Sequence, residues 1–123
     1  MGCGTGRVAR ALQAAGWTVT GVEIDERMAA VARGHGVPVW VGRFEDWTPS
    51  GGDEGRFDLV CSGQAWHWVD PDVGFRRAAD LLRPGGRFAA FWNRDRYDPP
   101  VTAALRAVFD RLAPGVWGDG AGS

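Results

Sequence analysis

Lysine is absent from this 123-residue chain, tyrosine occurs once, at Tyr97, and cysteine and histidine occur twice each. Without lysine there is no Tyr-x-x-x-Lys pair, which disfavours a nicotinamide-dependent oxidoreductase. Cys3 and Cys61 form no metal-ligand spacing with His35 or His67, so no metal site is expected and both thiols read as reduced and structural. No apolar run approaches the roughly 20 residues needed to cross a bilayer, and the start shows no charged-then-apolar leader; a cytoplasmic protein with no membrane partner is the expectation. An excess of charge of one sign is lacking too. The 14 basic residues, all arginine, nearly cancel 15 acidic ones to a net charge of -1, which argues against a general nucleic-acid binder. An acidic or neutral small molecule stays open as substrate. Internal repeats and heptads are also missing, and the length suits one small domain rather than two.

Glycine, by contrast, is plentiful, with 19 residues, and three of them open the chain as Met-Gly2-Cys3-Gly4-Thr5-Gly6. Glycine has no Cβ, so it takes positive φ and lets backbone approach a ligand closely. From Thr5, a possible N-cap, Val8, Ala11, Leu12 and Ala15 follow at helical spacing, and Gly16 is a stop. A dinucleotide fingerprint needs Gly-x-Gly-x-x-Gly; here the third glycine comes one residue early and Arg7 holds the fingerprint position. That spacing favours a nucleoside with an amino-acid tail over a dinucleotide. The acidic residue that would accept hydrogen bonds from ribose hydroxyls is expected about 20 residues on, at the end of the next strand. Glu23 fits, at the mouth of the β-branched segment Trp17–Ile24, although a solvated surface carboxylate is the competing reading.

Farther along, helix and strand patterns alternate: helix 5–15, strand 17–23, helix 26–33, strand 37–41, strand 57–62, helix 72–82, strand 87–92 and helix 100–112. This order predicts an α/β fold, a parallel sheet with helices on both faces. Core stripes are expected at Met28, Val31 and Ala32, at Phe75, Ala78, Ala79 and Leu82, and at Val101, Leu105, Val108, Phe109 and Leu112. Phe57–Cys61 reads as a strand buried on both faces, and Arg83-Pro84-Gly85-Gly86 as a turn. Residues 49–55 look like an exposed loop. The domain is placed at 1–113, with 114–123 a flexible glycine-rich tail.

Four ordered blocks, GCGTGRVARAL, VTGVEIDERM, FDLVCSGQAWHWVDP and LLRPGGRFAAFWN, resemble the class I S-adenosylmethionine-dependent methyltransferases, in particular the small-molecule type with a methyltransferase-11-like domain. The resemblance covers most of residues 2–93. It implies a Rossmann-like sheet of strand order 3-2-1-4-5, here lacking the first strand and the C-terminal strands, so that the place between Val22 and Val60 would be missing its central strand. A buried strand of that kind supplies about three large apolar side chains at roughly 1.5–3 kcal/mol each, comparable with the ~5–15 kcal/mol stability of a whole domain. A fragment of a longer protein, marginal or unfolded by itself, is therefore expected.

The resemblance also implies roles. S-adenosylmethionine would be the cofactor, with Gly2, Cys3, Gly4, Thr5 and Gly6 along its methionine and ribose part. Glu23 would hold the ribose hydroxyls, and Ile24 would pack on the adenine. Where the family has a Gly-Asp-Ala-Glu-like run, this chain has Gly42-Arg43-Phe44-Glu45-Asp46: Arg43 replaces the acid, leaving Phe44 and Glu45 for the adenine face or, on the plainer reading, in a solvated turn. Ser62 and Gln64 would flank the methionine moiety, with Trp66, His67 and Trp68 towards a small-molecule acceptor. Aromatic rings suit a sulfonium, but they also serve as packing. His67 is the candidate general base, against a hydrogen-bonded structural histidine. Arg94 with Arg96 would meet an acidic acceptor, against the plainer reading of a solvated loop. The competing function is a truncated, non-catalytic remnant or binding module of the same fold. Acceptor identity and oligomeric state are left open.

Overall fold

A computed structural model describes residues 1–52, 54–93 and 97–112. Two compact units are distinguished, Met1–Trp92 and the segment from Asn93 onward. In the first, the elements run α1 (Arg7–Ala14), β1 (Gly21–Glu23), α2 (Glu26–Gly34), β2 (Val39–Val41), β3 (Phe57–Gly63), α3 (Pro71–Leu81) and β4 (Leu82–Phe91); in the second, α4 (Pro99–Leu112) stands by itself. Arg94, Arg96 and the glycine-rich tail lie outside the described residues, as does Asp53 of the 49–55 loop.

The strands form two parallel pairs. β1 lies beside β2 with Val22 opposite Trp40, and β3 lies beside β4 with Val60 opposite Phe88. These are the pairs expected on either side of a central strand. Between them run residues Met1–Cys3: the Met1 nitrogen donates to the Cys61 carbonyl at 2.9 Å, and the Cys3 N–H donates to the Val22 carbonyl at 3.1 Å. Helix-bearing crossovers are what parallel neighbours require, and α2 and α3 provide them.

Local chemistry explains most boundaries. Asp25 caps α2 by accepting the Arg27 N–H at 2.9 Å, and Asp70 caps α3 by accepting from Asp72 and Val73 at 3.0 and 3.2 Å, with Pro71 in the first turn. α1 begins two residues later than its pattern suggests. Gly6, at φ 89°, takes the cap position instead of Thr5, and no side chain caps this helix. β1 is short because only Gly21–Glu23 finds a partner in β2. The turn Arg83–Gly86 is looped out inside β4, so the register steps from Phe57 opposite Leu82 to Leu59 opposite Arg87.

The helices contribute mainly small residues to the core. α2 buries Ala29 and Ala32 rather than Met28 and Val31, while α3 buries Gly74, Ala78 and Leu81 rather than Phe75 and Ala79. The reason is close approach: a Cβ on Gly74 would sit 3.1 Å from the Trp66 ring. β3 is not buried on both faces, since Val60 and Ser62 on one face are buried while Phe57, Leu59 and Cys61 on the other are only half-buried. In α4 no residue is buried, so the stripe predicted there is not a core stripe among the described residues. The main cluster joins Val22, Val60, Trp66, Val69 and Leu81; a smaller one joins Ala9, Ala32 and Val37 beneath α1.

Candidate functional site

Carboxyl ends of β1 and β3 face the same glycine loop, and its three glycines serve different ends. A Cβ on Gly2 would collide with the Cβ of Ala65, which places the loop directly against the segment after β3. One on Gly6 would lie 3.2 Å from the Ala32 Cβ and 3.3 Å from Val37 Cγ2, so this glycine is a packing requirement under α1. At Gly4, φ 54°, the same atom would meet only the Met28 sulfur at 4.0 Å. Gly4 is the open part of the loop, where a ligand can lie on bare backbone.

Glu23 ends β1 beneath that opening. It is 7% exposed, which rules out the solvated-surface reading. Its Oε2 accepts the Gly4 N–H at 2.7 Å and its Oε1 accepts the Asp25 N–H at 3.1 Å. A carboxylate offers about four lone-pair sites, so two bonds tie strand, loop and helix cap together and capacity remains for ligand hydroxyls. Ile24 follows, 68% exposed, an apolar surface at the mouth. Asp25 is bonded through both carboxylate oxygens to the Arg27 guanidinium, and that side-chain bond, with the Arg27 N–H, holds its pKa down to about 2. Nothing in the sequence pattern singled out Asp25, although an acid before a helical run is the ordinary capping signal.

Cys3 and Thr5 differ from the glycines between them. Cys3 is half-buried, its N–H spent on Val22 and its thiol pKa pushed up by burial; both cysteines are free thiols. Thr5 is exposed on the loop. Among the described residues no group of His, Cys, Asp and Glu could hold a metal ion, and no helix is long and apolar enough to cross a membrane.

After β2 the chain turns back toward the core. Phe44, expected at an adenine face, is buried, its ring edge-on to Trp66 at 5.9 Å, because the 3-10 turn Phe44–Asp46 directs it into the core. Glu45 bridges elements instead of facing solvent, accepting the Asp70 N–H at 3.1 Å and the Arg43 guanidinium at 3.2 Å. Burial alone would raise its pKa, but these hydrogen bonds carry it below the ordinary carboxylate value.

The segment after β3 divides in the same way. Ser62 is buried, its hydroxyl 3.2 Å from the Met1 sulfur. Gln64, the one non-glycine with positive φ among the described residues, at 60°, donates its N–H to the Phe91 carbonyl at 2.9 Å and keeps its side chain exposed. Held strain of this kind clusters at ligand sites. Trp66 turns inward against Phe75 and Phe88 at 5.1 and 4.6 Å, so it is core and not an acceptor contact. His67 and Trp68 turn outward, and the Trp92 indole N–H donates to His67 Nδ1 at 3.2 Å. The 25-residue separation of that pair leaves no local sequence signal.

Comparison with known proteins bears on this arrangement. The family described as "Methyltransferase domain" matches residues 1–90. An uncharacterized methyltransferase of Mycobacterium bovis is 36% identical over 93 residues, 76% of this chain and 38% of its own length. Among solved structures, a SAM-dependent methyltransferase of Thermotoga maritima is similar with a TM-score of 0.62 and 34% identity, over 72% of this chain and 40% of that one. A candidate type II methyltransferase from Anaeromyxobacter dehalogenans gives a TM-score of 0.72 at 30% identity, over 90% of this chain and 47% of that one. The chain thus spans about two fifths of the length of the first of the curated relatives it matches. The architecture is Rossmann-like α/β, as in these structures.

Proposed function

This chain belongs to the methyltransferase domain family, and on that premise we propose that it forms the donor-binding part of an enzyme that transfers a methyl group from S-adenosylmethionine to a small molecule. The single observation carrying the proposal is the pairing of an open Gly4 with Glu23: bare backbone at the loop and a carboxylate with spare acceptor capacity 2.7 Å from it. A nucleoside with an amino-acid tail needs both.

Bound S-adenosylmethionine supplies an electrophilic methyl on a sulfonium, open to in-line displacement. The protein's part is then chiefly positioning. Glu23 accepts hydrogen bonds from vicinal ribose hydroxyls, the Gly2–Gly6 backbone lies along the ribose and methionine part, and Ile24 covers the adenine. Ser62 and Gln64, with the Ala65 methyl against Gly2, close the side toward the methyl, and His67 and Trp68 form the outer rim facing the acceptor. Cys3 and Thr5 enter this reading through the loop backbone, whereas the Phe44 ring and the Glu45 carboxylate are engaged by Trp66 and by Asp70 and Arg43.

Calorimetric titration of the 123-residue chain with S-adenosylmethionine, S-adenosylhomocysteine and NAD tests it. Saturable binding of the first two, undisplaced by NAD, is expected. Absence of binding, or a preference for NAD, overturns the reading, and binding without methyl transfer to any acceptor assigns the chain to the binding-module alternative.

A further inference from the structure

A hydrogen bond and a ring contact hold the imidazole at the rim. His67 sits in the 3-10 turn Trp66–Trp68, whose backbone is pinned by hydrogen bonds from Trp68 N–H to the Ala65 carbonyl at 3.1 Å and from Val69 N–H to the Trp66 carbonyl at 3.0 Å. Trp66, buried in the core, anchors the turn, so the next ring in sequence is presented outward. One side of that ring rests on Trp68, with centroids 4.9 Å apart and a 47° tilt. On Nδ1 it receives the indole N–H of Trp92.

An indole nitrogen can only donate, so the Nδ1 it meets must carry a lone pair, and a neutral imidazole with its lone pair at Nδ1 has its proton on Nε2. The ring then has no lone pair left with which to take a proton from an acceptor. Among the described residues no carboxylate or carbonyl is bonded to either ring nitrogen, so nothing opposes this assignment.

We propose that Trp92 is a positioning residue that holds His67 as an Nε2–H hydrogen-bond donor, and that His67 thereby recognises an acceptor molecule through an oxygen lone pair and does not deprotonate it. The recognition role rests on the methyltransferase reading above; the tautomer does not. An acceptor with a hydroxyl, carbonyl or carboxylate oxygen satisfies the donor, whereas one offering only N–H or C–H at that point leaves it to water at this exposed rim.

Two-bond proton–nitrogen correlation on the full chain carrying His35→Gln, which makes His67 the sole imidazole, tests the idea. One pyridine-like nitrogen at Nδ1 and one pyrrole-like nitrogen at Nε2 are expected, with the two shifts converging toward averaged values in the Trp92→Phe variant. Averaged shifts with Trp92 intact, or the opposite tautomer, overturn the proposal. A Trp92→Phe spectrum identical to that of the parent overturns the positioning role. Because Trp92 is 48% exposed the variant is expected to fold, and the measurement with Trp92 in place decides the tautomer in any case. Failure of S-adenosylmethionine binding with the tautomer intact would sink the functional reading alone.

Discussion

Replacing Gly6 by alanine separates two physical effects that the glycine loop combines. Gly6 holds φ 89°, and a left-handed conformation costs an L-residue about 1–2 kcal/mol. The new Cβ would also press on the Ala32 Cβ at 3.2 Å and Val37 Cγ2 at 3.3 Å, both in fully buried residues, and overpacking of this sort costs about 1–3 kcal/mol. Against this, alanine restricts the unfolded chain and returns about 0.4–1 kcal/mol. The net expectation is a loss of about 1–4.5 kcal/mol, from the left-handed, overpacking and unfolded-chain effects together. Gly16 supplies the control: its φ is 95° and a Cβ there meets nothing within 4 Å, so Gly16→Ala should lose about 0–1.5 kcal/mol. Gly4→Ala shares the backbone effect without the packing effect, yet its methyl enters the proposed ligand path. Urea denaturation of the three variants, with unchanged slopes, together with titration by S-adenosylhomocysteine, reads all of this. Gly6→Ala should be the least stable and Gly4→Ala the weakest binder at a stability similar to that of Gly16→Ala. A Gly6→Ala protein as stable as Gly16→Ala would refute the packing argument, and a Gly4→Ala protein with undiminished binding would refute the placement of the ligand.

Three further outcomes are expected. Glu23→Gln should weaken S-adenosylhomocysteine binding by about 10–100-fold, the worth of hydrogen bonds to a charged acceptor; an unchanged Kd by calorimetry would remove Glu23 from the site. Arg77, whose Nε and Nη2 donate to the Trp47 carbonyl at 2.9 and 2.6 Å and whose Nη1 meets Glu54 at 2.6 Å, fastens the loop before β3 to α3. Arg77→Ala should cost about 2–4 kcal/mol in urea denaturation, with Arg77→Lys intermediate, and equal midpoints for all three proteins would contradict this. For Asp25 the folded pKa, about 2, lies below the ordinary value of 3.8, so between those pH values the unfolded chain binds the extra proton. Its contribution is therefore complete above pH 3.8 and fades as pH falls toward 2. Thermal melts between pH 5 and 2 should show that Asp25→Asn, which caps without titrating, loses part of the acid sensitivity; superimposable pH profiles would count against the cap.

Much of this protein was legible along the chain because the relevant physics is local. Helical and strand periods gave the element order, the run Gly2–Gly6 marked a turn that only residues without a Cβ can make, and the spacing from that turn to Glu23 follows from one helix and one strand. Asp70-Pro71 announces a helix start by capping and ring geometry alone. Tertiary structure decided which side chains of those elements face inward. Met28 and Phe75 obey the helical period yet stay exposed, because Ala29, Ala32 and Gly74 allow the closer approach. Phe44 and Trp66 resemble ligand-facing aromatics in their local context and become core only when residues 22 positions apart meet. The Trp92–His67 bond spans 25 positions, so the protonation pattern of that imidazole was written nowhere in its neighbourhood. Hydrogen-bond partners are chosen by the packing of strands and helices against one another, and no period or spacing within a single segment carries that information.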